Sequence, residues 1–309
     1  MDGFVCTLIE NIRAALGPDV EISRRMQEKN NCVNTPYLTI RNSDRCFAPS
    51  IRLDTLFMSY KSGFMNIESI TDQITSVCTR QTGGPPDISR LFEDPRMLSE
   101  RIYFRLVNYE RNREILKTRP HIRFLDLAVT FCIHVPFPEQ EIGSIQIDNK
   151  IAGSLGFTVE KLGALALKNT PVLFPKTFSP IEDIIDSIMK ARGGCGLPDL
   201  PPGSGPSMNV LSNRQCCYGA ACILYPGVLE EIRKKLGRDF YVIPSSVNEV
   251  IILTLDEPDP SRLREMVREV NRTVVAPEEI LSDNIFRYPE DLGPDRIAGI
   301  FGHKEDPSG

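Results

Sequence analysis

Asp126 is the residue of this chain whose type and setting most invite chemistry. It stands in RFLDLAVTF (123–131), among apolar neighbours. A carboxylate in such company is rarely buried without a partner. If the run is one alternating strand, Asp126 shares a face with Phe124 and Ala128. Arg101, Arg105 or Arg123 could neutralise it, or it could line a polar site. Asn108, Tyr109 and Asn112 lie just upstream and could converge with it as ligand-binding groups. A second set is Ser245 and Ser246 after Pro244, with Glu249 following. Paired hydroxyls beside a carboxylate could activate water or hold a polar ligand. Pro-Ser-Ser-x-Asn is equally ordinary turn chemistry, in which the side chains bond nearby backbone. No G-x-S-x-G elbow is present to expose a strained nucleophile.

The thiols and imidazoles offer less. Cys216, Cys217 and Cys222 form a C-C-x4-C cluster with Cys195 upstream. Zinc sites favour two C-x2–4-C pairs, and no second pair or nearby histidine completes four ligands. Packing as small hydrophobes suits the Ala-rich run YGAACIL better, so no metal is expected. His121 and His134 flank the stretch 122–133, and His303 lies near the end. On one extended strand the first two would stand roughly 40 Å apart, at ~3.3 Å per residue. Phosphate-cradling loops are absent, because GGCG (193–196) is not followed by Lys-Ser or Lys-Thr. No cofactor is expected.

These residues depend on elements that the chain signals at several places. Residues 4–16 read as an amphipathic helix stopped by Gly17-Pro18, followed by strand runs at 20–24, 37–41 and 50–53. Ile67, Ile70, Ile74 and Val77 mark one face of a helix. RIYFRLVNY (101–109) reads as a strand, as do the run containing Asp126 and IGSIQID (142–148). A helix is expected over 157–168, then a short strand at 172–174, then a helix from Ser179-Pro180 to Lys190.

The firmest stretch is 208–287. Val228, Leu229, Ile232 and Leu236 form one stripe of a helix ended by Gly237, and Glu230 and Glu231 each precede a lysine by four residues. DFYVI (239–243) and VNEVIILTL (247–255) then read as a hairpin. Asp259-Pro260 opens a helix with Leu263, Met266, Val267 and Val270 inward. Residues 193–207 are nearly all Gly, Pro and Ser, the composition of a linker or long loop.

With 309 residues and a net charge of −5, from 36 basic and 41 acidic side chains, bulk charge argues against nucleic acid or anionic membrane. No block of five like charges occurs. The longest uncharged apolar run, 127–137, is well short of the ~20 residues of a membrane span. Nine cysteines without a repeating spacing imply reduced thiols in a cytoplasmic setting.

Several phrases resemble an uncharacterised family of Clostridia and related Firmicutes, labelled a domain of unknown function. They are APSIRLDTLFMSY (48–60), RLVNYERNREIL (105–116), FLDLAVTF (124–131), ALKNTP (166–171), GAACILYPGVLEEI (219–232) and VIPSSVNEV (242–250). They spread over most of the chain. The Asn-Thr phrase and the Val-x-Pro hairpin are distantly similar to a second uncharacterised Firmicutes family of α+β proteins. The resemblance implies a bacterial, cytosolic α+β protein and carries no activity.

The expected fold is therefore α+β, with mostly antiparallel sheet and flanking helices in two lobes. The expected lobes are 1–192 and 208–290, joined by 193–207 and followed by a tail at 291–309. Two functions from different classes follow. One is a non-catalytic module that binds a protein partner or a small ligand. The other is a hydrolase-like or transferase-like enzyme, with Asp126, Ser245, Ser246 and Glu249 meeting between the lobes.

Overall fold

The computed structural model describes residues 1–42, 50–80, 88–136, 142–191, 207–254 and 259–302. The expected linker as far as residue 206, the Gly-Gly-Pro-Pro run at 83–86 and His303 lie outside the described residues. The fold is α+β, and every strand pairing described is antiparallel. The chain divides into two compact units, Met1–Glu93 with Val135–Gly143, and Asp94–His134 with Ser144–Gly309.

The first unit holds α1 (Asp2–Leu16), β1 (Val20–Glu28), β2 (Asn34–Asn42), β3 (Ser50–Arg52), α2 (Leu53–Lys61), α3 (Ile67–Arg80) and α4 (Ile88–Glu93). Gly17, at φ 96°, takes the turn out of α1 in a region that side chains avoid. Phe4, Leu8 and Ile12 of α1 bury against Ile22 of β1, Leu38 of β2, Leu53 of α2 and Ile70 and Ile74 of α3. That apolar cluster is what one stripe of each helix and one face of the sheet supply.

The second unit begins with α5 (Pro95–Ser99), β4 (Ile102–Asn108), α6 (Arg113–Leu116), β5 (His121–Phe124), β6 (Leu127–Pro136) and β7 (Ile142–Gln146). The order β4-β6-β5, with β7 also on β6, makes its first sheet. Next come α7 (Asn149–Leu155), α8 (Val159–Leu173), β8 (Lys176–Pro180), α9 (Ile181–Ala191) and β9 (Ser207–Asn213). The unit closes with α10 (Val228–Leu236), β10 (Phe240–Ile243), β11 (Val250–Thr254), α11 (Pro260–Thr273), β12 (Phe286–Tyr288) and α12 (Pro294–Phe301). Its second sheet has the order β12-β10-β11-β9-β8, so β8 and β9 pair across the expected linker. In α12, Phe301 packs 5.4 Å from the Phe104 ring.

β4 lies at the edge of the first sheet, and the Asn-Thr phrase of α8 covers it. The Thr170 hydroxyl accepts from Phe104 N–H at 3.1 Å and donates to the Ala166 carbonyl at 2.5 Å. The Asn169 amide donates to the Ser99 and Ile102 carbonyls at 2.7 and 3.0 Å. Side-chain bonds thus replace a missing strand and blunt an exposed edge.

Two expectations about elements are corrected. Residues 172–174 do not form a strand, because α8 continues to Leu173. In α11 the buried positions are Val267 and Asn271, while Met266 and Val270 are 57% and 47% exposed. Periodicity found the helix, and the neighbouring elements cover its Leu263, Val267 and Asn271 edge, leaving Met266 and Val270 outside.

Candidate functional site

Asp126 is not inside a strand. Phe124 pairs with Leu127, so Leu125 and Asp126 form the two-residue turn between β5 and β6. Leu125 has φ 55°, the left-handed region that a tight hairpin turn requires. One carboxylate oxygen, Oδ2, accepts from the Ser282 hydroxyl at 2.6 Å and from the Asn284 amide at 2.9 Å. The other, Oδ1, is buried and unpartnered. His121 and His134 therefore sit on separate strands, and His121 pairs across with Thr130.

Asn108, Tyr109 and Asp126 do come together at this end of the hairpin. Tyr109 N–H donates to the Asp126 carbonyl at 2.9 Å. The Asn108 amide donates to the Leu281 carbonyl at 2.9 Å, and its oxygen accepts from Arg111 N–H at 2.8 Å. Asn112 donates to the Asn108 carbonyl at 2.8 Å. Across from them, Asn271 holds the Ser282 carbonyl and Asp283, and Arg111 pairs with Asp283 at 3.0 Å. Two of these bonds end on the Leu281 and Ser282 carbonyls and two on the Asp283 carboxylate, and the Asn108 and Arg111 bonds pin that segment beside the hairpin. None of the three arginines considered for Asp126 is paired with it: Arg123, for example, lies over the Tyr109 ring at 4.2 Å.

Ser245, Ser246 and Glu249 occupy the turn between β10 and β11. The Ser246 hydroxyl accepts from Asn248 N–H at 3.0 Å, and Ser246 N–H donates to the Glu249 carbonyl at 3.3 Å. The Glu249 side chain is exposed. This turn grips a loop at 213–219. Asn248 accepts from Tyr218 N–H through its side chain at 3.1 Å and from the Ser212 hydroxyl through its carbonyl at 2.6 Å. Asn213 clamps the same loop by bonding both N–H and C=O of Cys217. Cys216 and Tyr218 are forced to φ 50° and 52°, a conformation that costs a non-glycine residue free energy. Ala220 N–H is taken by the Val247 carbonyl, which fixes where the loop ends.

What the loop delivers is the Tyr218 ring, which lies 3.9 Å from the guanidinium carbon of Arg105. Arg105 is 6% exposed, on β4. Register places it opposite Thr130, and Tyr103 opposite Cys132. Alternation along β4 and β6 puts Tyr103, Arg105, Thr130, Cys132 and His134 on one face of the sheet. Phe174 packs on that face, 4.7 Å from the Tyr103 ring and 5.7 Å from His134. Arg105 Nη2 donates to the Tyr103 hydroxyl. Its Nε, the Thr130 hydroxyl and His134 Nδ1 are all buried without a hydrogen-bond partner. Among the described residues no carboxylate is ion-paired with Arg105.

Sequence reasoning missed this face. Its signal is the alternation in RIYFRLVNY, which sets an arginine in a strand whose seven residues are all buried. The sequence offers Arg105 only as a neutraliser of Asp126, and the structure places the two in different networks.

Residues 1–290 match the model of a family of unknown function, DUF5688. The chain belongs to that family. No curated protein and no solved structure matches it.

The two networks of this DUF5688 chain differ in what they can do. The Asp126 network spends most of its donors and acceptors internally. The Arg105 face keeps the cation's own Nε, the Thr130 hydroxyl across from it and His134 Nδ1 further along the strand unspent. Burial pushes the Cys132 and Cys217 thiols up, against the pull of Arg105, so both stay protonated and weakly nucleophilic. Burial also pushes Cys222 up to about 12, with its thiol donating to the Ser212 carbonyl at 3.1 Å. Among the described residues no three His, Cys, Asp or Glu side chains are grouped to hold a metal ion. No described helix is long and apolar enough to cross a membrane.

Proposed function

We propose that this protein is a non-catalytic binding module for a small anionic ligand, held on the sheet face of Arg105. The observation that carries the reading is a guanidinium 6% exposed, with a buried Nε donor unspent and, among the described residues, no carboxylate ion-paired with it. Desolvating an uncompensated charge costs several kcal/mol, and folds rarely bear that cost without a counter-charge. A bound anion supplies one. Arg119, half-buried, adds a second positive field that reaches Cys132.

Binding rather than turnover is favoured by the state of the neighbouring groups. The thiols on this face stay protonated, and burial and then Arg101 hold the His134 pKa below its usual 6.5. The Ser246 hydroxyl is occupied within its own turn. Ser282, whose hydroxyl donates to the Asp126 carboxylate at 2.6 Å, is fully buried and so presents no nucleophile to a substrate.

Thermal melts of wild type and Arg105→Met against inorganic phosphate, acetate, benzoate and succinate test the reading. At a hundred times Kd, ligation stabilises by roughly 2.7 kcal/mol, or several degrees. At least one anion should raise the wild-type Tm and leave the variant unmoved. Equal shifts in both proteins, or none in either, would overturn it.

A further inference from the structure

We infer that the outer edge of β5 is a docking site for an extended peptide segment of a partner protein, with acidic and apolar residues alternating, which joins the first sheet as a further strand. This goes beyond the anion-binding reading and does not rest on it.

The backbone argues for it first. β5 is the outermost strand on its side of the first sheet. In a hairpin closed by a two-residue turn, the residues flanking the turn exchange hydrogen bonds, and unbonded pairs alternate with bonded ones beyond them. Phe124 with Leu127 and Ile122 with Val129 are thus the bonded pairs. Ile147 N–H, just past β7, donates to the Phe131 carbonyl at 3.0 Å, so β6 turns its odd-numbered residues to this side. The N–H and C=O of His121 and Arg123 therefore point out of the sheet. Among the described residues no hydrogen bond ends on any of these four groups. The other edge, β4, is closed by Asn169 and Thr170. An edge left unpaired is a template for another strand.

There is room beside it. A cavity of about 320 Å³ opens between β5, the first turns of α8 and the end of α12, lined by Ile122, Val159, Gly163 and Phe301 among others. A Cβ on Gly163 would stand 3.3 Å from Phe301 Cδ1 and 3.5 Å from Ile122 Cδ1, so Ile122 turns its side chain toward the two helices. Successive residues of an added strand point to opposite faces. The residue across from Ile122 enters this apolar space, and its neighbours, across from His121 and Arg123, lie on the other face.

Charge selects those neighbours. The Arg123 side chain is 59% exposed, lies over the Tyr109 ring and comes only to 3.8 Å from Glu110, so its donors make no hydrogen bond among the described residues. His121 spends Nδ1 on the Arg119 carbonyl at 2.9 Å. Glu160, on the cavity wall, is already engaged. An acidic residue directly across from Arg123 makes a favourable cross-strand pair, and a basic one is repelled.

Fluorescence anisotropy of the full chain with labelled peptides built on the core Glu-Val-Glu tests this, against Lys-Val-Lys and against Glu-Val-Glu methylated on both glutamate nitrogens. Wild type should bind Glu-Val-Glu about tenfold more tightly than Lys-Val-Lys. Arg123→Glu, exposed and expected to melt like wild type, should reverse that order. Methylation keeps the charges but removes the donors to the His121 and Arg123 carbonyls, and should weaken binding about tenfold. Arg105→Met should bind the peptide as wild type does. Equal binding of the methylated peptide would overturn strand addition, and equal binding of Lys-Val-Lys would overturn the acidic partner. Loss in Arg105→Met would move the peptide to the Arg105 face and overturn the β5 site, as would no binding of any peptide. A wild-type dimer in sedimentation velocity, dissociated by excess Glu-Val-Glu peptide, would give the edge to a second copy and overturn the partner assignment.

Discussion

The Arg105 guanidinium carbon lies over the Tyr218 ring, 3.9 Å from its centre, although the two residues stand more than a hundred positions apart in the sequence. The contact gives the cation one favourable partner, on the order of 2 kcal/mol when desolvated. That is less than the cost of burying the charge. Arg105→Met, similar in length and uncharged, is therefore expected to fold and to be no less stable than wild type, with a gain of up to about 1–4 kcal/mol. Urea denaturation measures it. A loss of 3 kcal/mol or more would mean that the charge has a compensating partner in the native protein.

Gly219 has no room for a side chain. A Cβ there would lie 2.2 Å from Ser212 Oγ, 2.5 Å from the Asn248 carbonyl oxygen and 2.7 Å from Asn213 N. Two of those atoms are backbone and cannot swing away. Gly219→Ala should destabilise by about 3 kcal/mol, at the upper end of overpacking effects. It should also weaken anion binding, because the same loop carries Tyr218. Wild-type melting would contradict the loop geometry.

Asp126 is expected to be a structural residue. Asp126→Ala strands the Ser282 hydroxyl and the Asn284 amide, two donors to a charged acceptor. The expected loss is roughly 1.5–3 kcal/mol by chemical denaturation. Anion affinity at the Arg105 face should not change. Loss of ligand binding at unchanged stability would restore Asp126 as a functional carboxylate.

Thr170→Val removes a hydroxyl and keeps the shape. Phe104 N–H is then orphaned at a buried strand edge, at a cost of about 1–3 kcal/mol. Amide hydrogen exchange at Phe104 should speed up relative to its neighbours on β4. Unaltered protection there would show that the edge is held by other means.

His134 sets an acid limit. Burial, and then Arg101, lower its pKa in the folded protein below 6.5. As pH falls through 6.5 the unfolded chain binds the proton first, so stability drops there. The loss grows until the folded pKa is reached and is constant below it. Above about pH 7 the penalty is absent. His134→Gln should lose less stability than wild type between pH 7.5 and 5.5, read as the shift in urea midpoint. Parallel losses would remove His134 as the cause.

Much of the architecture was legible because short-range physics decides it. Asp259 caps α11 by accepting from Ser261 and Arg262 N–H, as Asp259-Pro260 implied. Gly237 ends α10 at φ 71°, and β10 and β11 pair as the interrupted β-branched runs required. The pairing of Glu230 with Lys234 at 2.7 Å also follows from spacing alone. Each of these depends on residues within about one or two turns of chain.

The site was not legible, for the same reason in reverse. Whether Asp126 lies in a strand or a turn depends on where β5 meets β6, and an apolar run by itself does not mark the fold-back. Arg105 reads as an ordinary charge until β6 pairs Thr130 with it and Asn248 positions Tyr218 above it. A sequence by itself determines which stretches are helices and strands and which of their faces are apolar. Tertiary structure alone decided which polar groups end without partners, because a donor's partner is set by the packing of segments a hundred residues apart.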